Sequence, residues 1–139
     1  MAIGPITNAF LSVNGVDLSD HVSKITIDDN RDTVDITAMG AVNKVVTKGL
    51  GDGKITVDFF QDFASNKVHQ TLQPLIGSTT PFTVEARPVN AARSATNPGI
   101  VMSALLFNYS ALDASVGAAS TISAEFDNAA QAGITYPTS

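Results

Sequence analysis

The chain of 139 residues contains no cysteine and no tryptophan. Without cysteine there is no disulfide framework, no thiolate metal site and no cysteine nucleophile. Two histidines are too few for a histidine-rich metal centre. Charged residues make up only 15% of the chain, against about 25% in an average globular domain. Acids outnumber bases 13 to 8, and the formal charge of −5 disfavours the positive footprint that grips nucleic-acid phosphates. Long apolar runs are missing too. The longest, Ile100 to Phe107, is broken by Ser103 and falls far short of the roughly 20 residues that span a bilayer. The stretch Met1–Asn8 has neither basic residues nor a signal-like apolar run. A soluble chain made in the cytoplasm, with no membrane insertion of its own, is expected.

A free monomer normally stays soluble by mixing charges of both signs over its surface. A chain this poor in charge points to a surface that something covers. The length fits a single domain over residues 1–139, large enough to fold without covalent or metal staples. An N-terminal arm of about 1–8 and a C-terminal tail of about 129–139 lack periodicity and are expected to order only against neighbours.

What the chain does have is β periodicity. Asn14-Gly15 between alternating apolar residues signals a hairpin with a type I′ turn, which needs positive φ at both centres. Lys24–Asp28 and Thr33–Thr37 alternate, placing Ile25, Ile27, Val34 and Ile36 in the expected core. The acidic run between them reads as a solvated turn. Val42–Lys48 is β-rich, and Gly49-Leu-Gly-Asp-Gly53 reads as a loop. Ile55, Val57 and Phe59 alternate on the clearest strand, and Phe82 and Val84 on a later one. One helix is predicted, capped by Ser65 or Asn66, with Val68, Leu72, Leu75 and Ile76 on its apolar face and Pro74 loosening its last turn. Val89–Gly99 reads as an exposed loop. Further strands are predicted at Ile100–Asn108 and Ser120–Asp127, with a weaker one near Ala111–Val116. The sum is a mainly β fold, a β-sandwich or barrel with one flanking α-helix.

Motifs for chemistry fail on spacing. Ser19-Asp20-His21 holds the residue types of a triad, but sequence neighbours cannot point at one another as a triad requires. Asp28, Asn30 and Asp32 match the first ligands of a calcium loop, yet Thr33 and Met39 stand where glycine and a bidentate glutamate are needed. Gly49, Gly51, Gly53 and Lys54 lack the spacing of a phosphate loop, and Ile55 replaces the hydroxyl that would hold magnesium. No enzyme, metal or cofactor is expected.

The opening Phe10-Leu-Ser-Val-Asn-Gly-Val-Asp-Leu-Ser-Asp-His-Val-Ser23 resembles the start of the tail tube (major tail) proteins of long-tailed, non-contractile bacteriophages. Val34-Asp-Ile-Thr-Ala-Met-Gly40, Gly53-Lys-Ile-Thr-Val-Asp-Phe-Phe-Gln-Asp-Phe63, Ser123-Ala-Glu-Phe126 and Ile134-Thr-Tyr-Pro137 extend the likeness over nearly the whole chain. The resemblance implies a virion protein made in the host cytoplasm. Homo-hexameric rings would stack into a tube around a tape-measure protein and conduct double-stranded DNA without binding it. It also implies sheets joined edge to edge, which closes exposed strand edges between subunits. On this view Met39, Asn43, Lys44, Lys48, Gly49, Gly51 and Gly53 form a ring-stacking loop, and Asp35, Asp58 and Glu85 face the lumen. A tube protein of a bacterial secretion or tail-like system, a tail spike or decoration domain, and a small β-sandwich binding module are the alternatives.

Overall fold

The alternating segments pair into one antiparallel sheet of seven strands in the structure, a computed structural model that describes residue 6 and residues 8–138. Most of the expected N-terminal arm lies outside the described residues. In chain order the strands are β1 (Phe10–Val13), β2 (Val16–Asp17), β3 (Val22–Asp35), β4 (Val46–Phe60), β5 (Phe82–Arg87), β6 (Ile100–Tyr109) and β7 (Thr121–Asn128), with helix α1 (Val68–Ile76) between β4 and β5. Across the sheet the order is β2-β1-β5-β6-β7-β4-β3. β2 and β3 are therefore neighbours in sequence and opposite ends of the sheet. Laid flat, the sheet would hold them about 29 Å apart, whereas the links from Asp17 to Val22 reach about 17 Å. The sheet must curl until its edges approach, so the fold is one rolled, barrel-like sheet rather than two stacked ones.

The curl encloses the core. Leu11 and Val13 of β1, Ile55, Val57 and Phe59 of β4, Phe82 and Val84 of β5, Met102, Ala104 and Leu106 of β6, and Ile122, Ala124 and Phe126 of β7 are buried together. The Phe82 and Phe126 rings meet edge to face at 5.9 Å, a favoured arrangement of their quadrupoles. Asn14 and Gly15 take φ of 51° and 82° and close the β1–β2 hairpin as the sequence predicts. Helix α1 presses Val68, Leu72 and Leu75 into the core.

Five expectations are corrected. First, β3 runs unbroken from Val22 to Asp35, so the acidic run is strand and not a turn. Residues an odd number of positions apart on one strand face opposite ways. Ile25 and Ile27 pack against the core, whereas Val34 leaves on the other face and is exposed, as is Ile36 just beyond the strand. Second, Gly49–Gly53 is not a loop but part of β4. Between Arg31↔Gly51 and Thr33↔Lys48 the register slips, and β4 absorbs one extra residue there as a bulge. Third, neither Ser65 nor Asn66 caps α1 with its side chain. Lys67 is the N-cap residue, and Asn66 turns left-handed with φ of 60°. Ile76 ends the helix on the flank of the Val68-Leu72-Leu75 stripe and is exposed. Fourth, residues 110–120 form a loop, not a strand. Fifth, the C-terminal segment is held by its own chain. Ile134 is buried, and Val101 and Thr135 exchange backbone hydrogen bonds of 2.9 Å. Tyr136 donates its hydroxyl proton to Asp29 at 2.8 Å.

Candidate assembly surface

β4 pairs with β7 only from Lys54 to Phe60. Towards its start, β4 has β3 alone as a partner, out to Asp35↔Val46. The β3–β4 hairpin therefore leaves the sheet as a two-stranded ribbon. Such a ribbon is marginal in water on its own. Its tip is organised locally. Ile36 N–H donates to Val45 O at 3.0 Å, and Val45 N–H donates to Thr37 Oγ1 at 2.7 Å. The Thr37 backbone N–H bonds the Asp35 carboxylate at 2.9 Å and, with the Thr37 hydroxyl, holds its pKa below the usual range.

The ribbon buries almost nothing. Val34, Ile36, Met39, Val42, Val45, Val46 and Leu50 are all exposed, and Met39 and Val42 are essentially as open as in an extended chain. So many exposed large apolar side chains on one element point to a surface that a partner covers. Of the residues expected in a stacking loop, Met39, Asn43 and Lys44 sit in the turn, and Lys48, Gly49 and Gly51 lie on the ribbon's β4 strand. Gly53 does not belong with them. It is buried at the ribbon's root, where a Cβ would stand 2.9 Å from Ile134 Cγ1.

The three acids expected on one surface are not brought together. Asp58 lies on the sheet face away from the core, opposite Lys24 and Ser123. Asp35 lies out on the ribbon and shares the alternation of Ile25 and Ile27, so it falls on the other face. Glu85 has the right alternation but is only 9% exposed, because the 89–99 loop folds over it. Arg93 Nη2 and Arg87 Nε donate to its two oxygens at 2.7 and 2.6 Å. The Arg93 hydrogen bonds outweigh the cost of burial and, with Arg87, hold the Glu85 carboxyl well below the ordinary range. Asn97 organises the same loop by donating to three backbone carbonyls, those of Val89, Ala91 and Ala92. Glu85 is therefore a buried structural anion. The residues that do share the face of Asp58 are Asp28 and Lys54 in one row and Thr56 and Glu125 in the next, with Asp127 opposite Lys54. Lys54 Nζ bridges to Glu125 at 2.9 Å. The alternation of Ser123-Ala-Glu-Phe126 already placed Glu125 opposite buried Phe126, a signal the sequence reading did not use.

Both histidines are engaged by neighbouring side chains. Both ring nitrogens of His21 face carboxylates, Asp20 at 2.7 Å and Asp62 at 2.8 Å. His69 Nδ1 is 2.7 Å from the Tyr109 hydroxyl, which also accepts from Gln61 Nε2 at 3.0 Å. Among the described residues no cluster of acids and histidines has the geometry of a metal site, and no helix is long and apolar enough to cross a membrane.

Comparison with solved structures gives the fold its relatives. A chain of the virion of the native gene transfer agent (GTA) particle superposes with a TM-score of 0.72 at 8% identity, covering 93% of this chain and 95% of that one. A chain from the tail of the empty GTA particle, refined with helical C6 symmetry, superposes with a TM-score of 0.71 at 10% identity, covering 98% of both. No protein-family model matches the chain, and no curated protein matches it in sequence. The rolled seven-stranded sheet with its single helix is thus the tail-tube-like fold that the sequence resemblance implies.

Proposed function

We propose that the chain is a structural virion protein that polymerises as stacked hexameric rings into a tail tube, the conduit through which DNA leaves. The observation that carries this reading is the end-to-end match with a chain of a C6-symmetric tail, in which almost nothing of either chain is left over. A match that spans 98% of both chains supports the same kind of module in the same kind of assembly. The exposed apolar ribbon and the scarcity of charge fit it, because interface cores are depleted in Lys, Glu and Asp. Such a tube is built around a tape-measure protein.

The polar sheet face, where Asp28, Asp58, Glu125 and Asp127 outnumber Lys24 and Lys54, is the lumen surface on this reading. Six copies at −5 each give a ring of about −30. A negative wall repels phosphate, so DNA slides without sticking. Native mass spectrometry over a concentration series tests the ring. The expected species is six copies of the 14.4 kDa chain, about 86 kDa, and its multiples. A monomer at every concentration would count against the proposal.

A further inference from the structure

The ribbon tip is one end of the molecule, and the other end carries a second exposed apolar surface. β4 runs for 15 residues from the ribbon to Phe60, a distance of about 45 Å at the rise of a strand. Phe60 pairs with Thr121, and Gln61 N–H donates to Ser120 O at 2.9 Å. The 110–120 loop therefore sits at the far end of the sheet. Its shape is fixed locally. Ser120 Oγ donates to Asp113 O at 3.1 Å, Ala118 N–H to Ser115 O at 3.1 Å, and Gln61 Nε2 holds Ala111 O. Yet Leu112 is 71% exposed and Val116 is fully exposed. Among the described residues, nothing packs over either side chain.

Charges of opposite sign stand at the two ends. Residues 36–48, the turn and the start of β4, carry Lys44 and Lys48, with the Asp35 carboxylate tied back to Thr37 at the base of the turn. In residues 110–120 the only charged side chain is Asp113. We propose that the ribbon tip of one copy seats on the 110–120 loop of a second copy, with Met39 and Val42 against Leu112 and Val116 and Lys44 beside Asp113. A contact between opposite ends of identical chains is head-to-tail, and it propagates as an open stack instead of closing on itself. The inference rests on the tube reading and adds to it which two surfaces meet between rings.

The absence of cysteine makes the pairing directly testable. A Val42→Cys, Leu112→Cys double variant cannot close a disulfide within one chain, since bridged Cα atoms lie within about 7 Å. Oxidised after assembly, it should give a ladder of linked multimers on a denaturing gel, and each single variant at most a dimer. Normal tubes without a ladder would overturn the pairing and leave the tube reading standing. Where the cysteines prevent assembly, charge exchange decides. K44D alone should reduce tube yield at least tenfold, and K44D/D113K should restore it; failure to restore overturns the pairing. Wild-type chain that forms neither rings nor tubes would overturn the tube reading and the pairing with it.

Discussion

His21 Nε2 stands 2.8 Å from Asp62 Oδ2, tying the turn before β3 to the segment that follows β4. With Asp20 on its other nitrogen, His21 can satisfy both carboxylates as a donor only when doubly protonated. Burial opposes the imidazolium, but the bonds to Asp62 and Asp20 outweigh it and raise the His21 pKa above 6.5. The stabilisation is fully present below the unfolded-state value near 6.5 and is lost as pH rises through the raised folded-state value. Lys67 is the other charge acting on both acids. Thermal melts of the wild type should therefore fall in midpoint from about pH 6.5 upward. H21N should lack that slope, and a wild-type midpoint that is flat or rising there would contradict the clip.

Glu85 makes the opposite prediction. Its carboxyl is held below the ordinary 4.5 chiefly by Arg93, so its stabilisation is present above that value and lost as pH falls. E85Q should cost about 2–3 kcal/mol at neutral pH by removing the negative charge that accepts the Arg87 and Arg93 hydrogen bonds. It should also flatten the acid limb of the stability curve. Chemical denaturation at pH 7 and pH 3.5 measures both effects. A neutral E85Q would mean that the 89–99 loop is held by Asn97 and its backbone hydrogen bonds and not by the Glu85 charge.

Gly53 is where the ribbon's root meets the C-terminal segment. A Cβ at Gly53 would lie 2.9 Å from Ile134 Cγ1 and 3.1 Å from its Cδ1. G53A should cost about 1–3 kcal/mol through overpacking. In G53A/I134A the two losses should not add, because the smaller side chain removes the clash. Additive losses in urea unfolding would show that Ile134 is not what excludes a side chain there.

Asp58 sits on the polar sheet face, clear of the core and of every ion pair found among the described residues. D58K should leave the fold's stability within about 0.5 kcal/mol. Particles built with D58K should eject DNA more slowly, because each ring of six gains twelve units of positive charge at the lumen, two per copy. Ejection kinetics unchanged at low salt would place that face away from the DNA.

Much of this was readable in the sequence because period-2 alternation is strong where one face is buried. Ile55-Val57-Phe59 and Phe82-Val84 declared both their strand and their face. The faults arose where local pattern and long-range pairing disagree. Asp29 to Asp32 reads as a turn because it is polar and acidic and offers no apolar alternation. It is strand because β4 pairs with it, and no window on β3 alone reveals that. The same continuity reverses the face of Val34. Glycines 49, 51 and 53 read as a loop for the reason that makes them useful in β4: they take a bulge and a close approach to Ile134 that larger residues would block. Glu85 kept the predicted alternation, and its burial depends on a loop folding back from ten residues downstream. Met39, Asn43 and Lys44, expected in a stacking loop, lie in the turn at the ribbon tip. Leu112 and Val116 were hidden by a stretch that mimics a weak strand.

The central claim is that this chain builds six-fold rings that stack into a hollow tube. Electron microscopy of the purified wild-type protein at high concentration tests it most directly. The account predicts uniform hollow tubes, or end-on rings with six-fold symmetry, and their loss when residues 36–45 are replaced by Asn-Gly without loss of the folded monomer. A wild-type protein that stays a dispersed, folded monomer at every concentration, or a tip-deleted protein that still forms normal tubes, would contradict it.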